Sequence, residues 1–389
     1  MMAPEPSSLR CIDLFCAVID NFGDAGVSWR LARQLVAEHH LKVRLWIDRP
    51  EVLARLTPGL APELAQQWCQ GVEVRQWDAR MPAPNPADVF DVVIEAFGCP
   101  LPTPWLQAMA ARPRAPVWIN LEYLTAEGWV EGCHGLPSPH PVLPLCKHFF
   151  FPGFTVRTGG LLREEGLISR RERFAANPLA ATRVLSDLGV ANAGEDTVVV
   201  SLFCYAEARL SALLDAWQND PAPVVCLVPQ PVARFLPPEW GLAGAAPGAR
   251  VERGRLVLQV IPFLAQDRYD ELLWSCDLNF VRGEDSFVRA QWAGRPMVWQ
   301  AYRQAEDAHH DKVAAFLDCY LKDAPAELDA VVRQAIASWN GMAEAELDWP
   351  SLRAALPALG DHARNWAGQL GSIPSLASAL AEFARSRVK

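Results

Sequence analysis

What this sequence lacks narrows its possibilities first. Its ten cysteines stand far apart, at 11, 16, 69, 99, 133, 146, 204, 226, 276 and 319, with no CxxC pair and no Cys/His zinc spacing. That removes zinc fingers and thioredoxin-like redox centres, and leaves reduced, mostly buried thiols as the expectation. Positive charge is also short: 36 Lys and Arg against 45 Asp and Glu give a formal net charge of −9. Binding nucleic acid irrespective of sequence needs clustered cations that displace counterions, so small molecules or a basic protein surface are the expected partners instead. No apolar run approaches the roughly 18 residues that a membrane span needs. The opening MMAPEPSSLR shows no basic segment followed by an apolar one, so the expectation is a cytoplasmic protein without membrane attachment. GxGxxG, Gx4GK(S/T), GxSxG and HExxH are all missing, which withdraws support from the dinucleotide fingerprint, P-loop NTPases, α/β-hydrolases and zincins. No repeat with a period of about 20 to 50 residues runs along the chain.

What is present is apolar and alternating. At 389 residues and 51% hydrophobic, the chain is too long for one ordinary core and apolar enough for two. In the first half, CIDLFCAVI (11–19) reads as a buried strand, 27–39 as a helix and KVRLWID (42–48) as the next strand. DVVIEAF (91–97) and PVWINLEYL (116–124) follow as strands, with MPAPNPAD and GCPLPTPW as loops. The stretch 128–157, with PSPHPVLPLCKHFFFPGF, reads as an irregular connection packed by its aromatics. A second alternating series begins near 182, with strands at 196–205, 223–229, 255–263, 276–281 and 296–300 and helices at 267–275 and 287–293. The tail after 307 is helical in pattern, punctuated by Pro350, Pro357 and Pro374. Two successive α/β domains with mainly parallel sheets fit this order. In such sheets ligands sit beyond the C-terminal ends of the strands, which points to two loops, 20–26 and 282–286.

The second loop lies in FVRGEDSFVRAQWAGRP. Gly283 permits a tight turn, Ser286 suits an N-cap, and the amide hydrogens that follow, with Arg282 beside them, suit a diphosphate. Glu284 and Asp285 can accept from sugar hydroxyls or orient Arg282; the alternative is a charged, well-capped helix start. In the first loop, DNFGDAG, glycines 23 and 26 allow close approach of the backbone to a ligand, and Asp24 can cap the helix after it. Asp20 sits too early to cap that helix, and a carboxylate at a strand end suits a general base or an electrostatic stabiliser. Phe203, Tyr205 and Phe263 end strands and can stack on a planar base, although core packing serves each of them as well. His309 and His310 read as a solvated helix start, since adjacent helical residues point apart. Asp267, Asp270 and Glu271 read as the acidic first turn of a helix.

IDNFGDAGVSWRLARQL, SLFCY at 201–205 and LLWSCDLNFVRGEDSFVRAQWAGRP at 272–296 together resemble the elongation factor P (EF-P) arginine rhamnosyltransferase family, EarP. The resemblance implies an α/β, GT-B glycosyltransferase architecture of two Rossmann-like lobes facing across a cleft. It assigns 1–180 to an acceptor lobe, 181–355 to a donor lobe, and 356–389 to helices packing back on the first. It implies inverting transfer of L-rhamnose from dTDP-β-L-rhamnose to a guanidino nitrogen of one arginine of EF-P, activating EF-P for ribosomes stalled at polyproline. Asp20 falls on the family's candidate base and Asp24 on its second essential aspartate, with Asn21, Phe22 and Gly23 between them on the acceptor side. Phe203, Tyr205, Phe263 and Gln266 fall around the thymine. Arg282, Gly283, Glu284, Asp285 and Ser286 fall on the ribose and diphosphate site. No cofactor or metal is expected, because no DxD-type motif stands in a convincing loop. The sequence departs from the family where AYRQ replaces a more usual IYPQ at 301–304, where AE follows SLFCY, and at Ala25. Rival readings are a GT-B transferase with another nucleotide sugar and acceptor, and a non-catalytic protein that binds a sugar nucleotide or EF-P.

Overall fold

CIDLFC forms β1 (Cys11–Cys16), and all but its first residue are buried, because the strand lies mid-sheet with side chains packed on both faces. Even Asp13 is fully buried there. Arg44 Nε and Nη2 donate to it at 2.5 and 2.8 Å, and the Trp46 indole and the Phe90 amide donate at 2.9 and 3.0 Å. A buried carboxylate needs such a set, since an unpaired one costs several kcal/mol.

The computed structural model describes residues 9–20, 22–190, 194 and 196–388. Two compact units result. One runs to Glu165 and takes the chain up again from Ile373; the other is Gly166–Ser372. The first unit holds β1, β2 (Lys42–Ile47), β3 (Gln66–Cys69), β4 (Val72–Gln76), β5 (Val92–Ala96), β6 (Val117–Leu121), β7 (Pro137–Pro139) and β8 (Cys146–Phe150). Their spatial order is β3-β4-β2-β1-β5-β6-β8-β7. Neighbours are parallel except at the two edges, where β3 and β7 run antiparallel. The helix Phe22–His39 packs on β1 and β2, and the C-terminal helix Leu376–Arg385 packs on that helix. Phe15, Trp46 and Trp105 form an aromatic core with ring centroids 4.8 to 5.5 Å apart.

The second unit holds β9 (Val198–Leu202), β10 (Val224–Pro229), β11 (Arg250–Arg253), β12 (Leu256–Ile261), β13 (Leu278–Arg282) and β14 (Met297–Gln300), in the order β11-β12-β10-β9-β13-β14. Only β11 runs antiparallel. Each sheet has one place where the strand order reverses direction. In the first unit β1 is flanked by β2 and β5; in the second, β9 is flanked by β10 and β13. These switch points are where the loops at the carboxyl ends splay apart and leave a crevice.

Several expectations need correction. The stretch 128–157 is more than a connection, since it contributes β8, paired parallel to β6, and the edge strand β7. CKHFFF carries no period-2 signal because its polar residues come first and its aromatics follow in a run, on a strand that is only partly covered. The segment GCPLPTPW enters a helix, Thr103–Ala110, that begins with Pro near its N-terminus, where the missing amide hydrogen costs nothing. The helix Trp349–Gly371 continues through Pro357. The first helix begins at Phe22, not at 27. Among the described residues no helix is long and apolar enough to cross a membrane, and no disulfide joins the ten cysteines. Five of them are buried, four half-buried and Cys146 exposed, so fewer are buried than expected.

Candidate active site

Both loops selected by the sequence open at the switch points. In the first unit the chain leaves β1, passes Ile19, and turns into the helix at Phe22. The early helix start alters the role of Asp24. It lies inside the first turn rather than capping from outside, is 2% exposed, and reaches back to accept the amide hydrogens of Ile19 and Asp20, both at 2.7 Å. Tyr123, two residues beyond β6, donates its hydroxyl to the same carboxylate. Burial pushes the Asp24 carboxyl above its ordinary range, and these three hydrogen bonds pull the other way. Asp48, after β2, holds the next amide, that of Val18, at 2.9 Å.

Asp20 is half-buried. Its carbonyl accepts the amide of Gly23 at 2.7 Å. Its carboxylate lies so close over Gly23 that a Cβ there would come within 2.7 Å of Oδ2. Gly23 is therefore required by the placement of Asp20 itself, on the same turn of the chain. With the helix starting at Phe22, Asp20 also stands at the positive end of that helix, where a carboxylate is favoured. Phe22 is buried; Asn21 lies outside the described residues.

In the second unit the site is built from the ends of β9, β12, β13 and β14. Arg282 closes β13, and its guanidinium lies 4.3 Å from the Phe203 ring centre and 4.5 Å from that of Tyr205, while donating to the Cys204 carbonyl at 2.9 Å. Phe203 and Phe263 face each other at 6.5 Å with a 49° tilt. Gly283 takes a left-handed φ of 60°, donates its amide to the Gln300 carbonyl and accepts the Trp299 indole. The helix that follows is Asp285–Ala293, and Ser286 lies inside it, so Ser286 is not the N-cap. Its hydroxyl instead accepts from the Arg282 amide at 2.9 Å and donates to the Arg282 carbonyl, which closes the RGEDS turn on itself. Glu284 and Asp285 are half-buried at the mouth of that turn. Gln266, first residue of the helix Gln266–Ser275, donates to Asp285 at 3.3 Å.

Asp270 departs from its expectation. Rather than decorating an acidic first turn, it is buried in a paired contact with Arg289, at 2.7 and 2.5 Å. That pair ties the helix Gln266–Ser275 to Asp285–Ala293 and so fixes the floor under the RGEDS turn. Three residues escaped sequence reading. Gln300 accepts the Tyr205 amide at 2.8 Å, Tyr302 stands edge-on to Tyr205 at 5.7 Å, and Tyr269 packs at 6.2 Å from Phe203. The strand-end pattern that picked Phe203 could have picked Gln300 and Tyr302, which end β14 and follow it.

His309 is buried, contrary to a solvated helix start, and its ring lies 4.3 Å from that of His310. It is the first residue of its helix and turns inward, so the helical twist does not separate the pair. Burial and the neighbouring His310 lower its pKa. With Asp307 these are the described side chains that could hold a metal, their ligand atoms lying within 4.8 Å of one another. Cys99 and Cys204 are both pushed up to about 12 by burial, so neither is a thiolate nucleophile near neutral pH.

The model of the Elongation-Factor P (EF-P) rhamnosyltransferase family, EarP, matches residues 12–385. A protein-arginine rhamnosyltransferase of Pseudomonas putida is 48% identical over 377 residues, covering 96% of this chain and 98% of that protein. One of Pseudomonas aeruginosa is 47% identical over 373 residues, covering 95% and 98%. Among solved structures, one described as the structural basis for EarP-mediated arginine glycosylation of translation elongation factor EF-P matches at 34% identity with a TM-score of 0.67, over 97% of this chain and 99% of that one.

Proposed function

The chain belongs to the EF-P rhamnosyltransferase family EarP, and from that premise we propose that it transfers L-rhamnose from dTDP-β-L-rhamnose to one arginine of EF-P, with inversion at the anomeric carbon. It is a glycosyltransferase of the protein-arginine rhamnosyltransferase kind, with the two α/β units of the GT-B class. Donor, acceptor and stereochemistry are the proposal. The observation that carries it is the reach of the family match, which spans residues 12–385 and so includes both switch-point loops.

In this reading the second unit binds the donor. Phe203 and Phe263 take the thymine between their faces, with Tyr205 and Gln266 nearby. Arg282 and the amides opening the helix Asp285–Ala293 stabilise the leaving dTDP, and Glu284 and Asp285 accept from the ribose. Ser286 supports this by shaping the turn. No metal is invoked.

The first unit supplies the carboxylates. A guanidinium has a pKa above about 12 and its nitrogen lone pairs are delocalised, so attack on the anomeric carbon needs help. Asp20 orients the guanidinium, localises its charge and accepts the proton released as the C–N bond forms and the bond to the dTDP oxygen breaks. Asp24 holds the loop on which Asp20 stands. The formal charge of −9 suits a cationic acceptor side chain, and the reaction belongs to the cytoplasm.

The test is to incubate the protein with EF-P and dTDP-rhamnose and weigh EF-P. A gain of one deoxyhexose on a single arginine supports the reading. An unchanged mass with active donor and folded EF-P refutes it.

A further inference from the structure

We infer that Tyr123 is a positioning residue for the Asp20 loop, acting through Asp24: stacked on Phe97, it completes the hydrogen bonds by which the buried Asp24 carboxylate holds the amides of Ile19 and Asp20. The inference rests on the rhamnosyl-transfer reading of that loop, but its structural half is independent of it.

Three strand ends meet in this device. Asp24 stands just after the β1 turn, Phe97 is the residue after β5, and Tyr123 lies two residues beyond β6. The Tyr123 ring stacks on Phe97 with centroids 4.5 Å apart and planes 17° apart. Phe97 has a left-handed φ of 61° and is 7% exposed, and its amide donates to the Leu121 carbonyl at 2.6 Å. Such a backbone is uncommon for a bulky residue and persists only where the surroundings impose it. Here it aims an aromatic face at Tyr123, which fixes where the hydroxyl points.

The carboxylate receiving that hydroxyl already takes two successive amides at 2.7 Å. Successive amides held by one anion fix the peptide plane at Asp20, and with it the origin of the Asp20 side chain. The other titratable groups facing Asp24 are Asp48, which raises its pKa, the buried Cys16 thiol of β1, and Asp20 on its own loop. Tyr123 opposes Asp48 and burial, favouring the ionised carboxylate that accepts all three donors.

Tyr123→Phe keeps the ring and its stack and removes only the hydroxyl. Hydrogen exchange on the full-length protein should show the Ile19 and Asp20 amides exchanging roughly tenfold or more faster, the effect of losing one hydrogen bond to a charged acceptor. EF-P transfer should lose roughly tenfold in kcat, with dTDP-rhamnose affinity unchanged and the acid limb of the rate profile displaced to higher pH. In an Asp24→Asn background, Tyr123→Phe should add nothing to the exchange rate, since the two act in series. Unchanged exchange at both amides overturns the inference. So does a rate loss that is equal at every pH, because that is what a general packing defect produces. If the wild type modifies no EF-P while the exchange result holds, the functional reading fails and the clamp stands.

Discussion

Gly23→Ala separates the placement of Asp20 from the stability of the fold. An added Cβ would lie 2.7 Å from Asp20 Oδ2 and 3.3 Å from Cγ. Restoring an ordinary contact of about 3.5 Å moves the carboxylate oxygen by roughly 0.8 Å. The obstructing atom is the far end of a side chain, so the carboxylate swings away and the backbone stays. Gly23 lies in the first turn of a helix, where alanine is favoured over glycine by up to about 1 kcal/mol. Stability should therefore stay level or rise by about that amount. Turnover should not, because a misplacement near 1 Å costs roughly 10²-fold, or about 2.7 kcal/mol of barrier. Urea unfolding gives the stability, calorimetry the dTDP-rhamnose affinity, and the intact mass of EF-P over time the rate. A Gly23→Ala protein that transfers within about threefold of the wild type refutes the claim that the position of this carboxylate controls the reaction.

Asp20→Asn should bind dTDP-rhamnose normally and lose roughly 10²-fold to 10⁴-fold in transfer; near wild-type transfer with intact binding removes the base assignment. Arg289→Ala removes the paired guanidinium contact to the buried Asp270 beneath the RGEDS turn, and should destabilise by about 3–5 kcal/mol in urea unfolding; a loss under about 1 kcal/mol would show the pair to be dispensable. His134 is lowered below its ordinary 6.5 by burial and accepts the Phe151 amide at 3.1 Å through Nδ1. The unfolded chain then takes up this proton more readily, so the contribution of His134 is present above pH 6.5 and fades as the pH falls through the folded value. His134→Asn, which keeps an acceptor without that titration, should flatten this part of the melting profile, and an unaltered acid slope would contradict the sign.

Much of the fold was legible where segments carry their own signal. β1, β2, β5 and β6 are short apolar runs bounded by turn residues, and sequence placed each of them. β8 was missed because CKHFFF shows neither alternation nor a β-branched run; its pairing with β6 makes it a strand. The first helix was started five residues late because glycines at 23 and 26 argue against helix locally. Burial and the Asp24 hydrogen bonds across the β1 turn outweighed that propensity. Asp270 looked like a first-turn acid for the same reason, since its partner Arg289 is 19 residues away.

The sequence by itself determined the alternation that makes two parallel sheets, the two loops worth attention, and a resemblance strong enough to name a family. Those properties reside in contiguous residues. Only the tertiary structure decided that both loops open at switch points, that Asp24 is a buried clamp rather than a cap, and that Gly23 is needed because Asp20 lies on it. Each depends on groups that meet only when separate strands and helices are packed: Tyr123 after β6, Phe97 after β5 and Asp48 after β2 all converge beside a turn that follows β1. Hydrogen bonds and burial at such a convergence set the role of a carboxylate, and residue order alone does not encode which strands stand side by side.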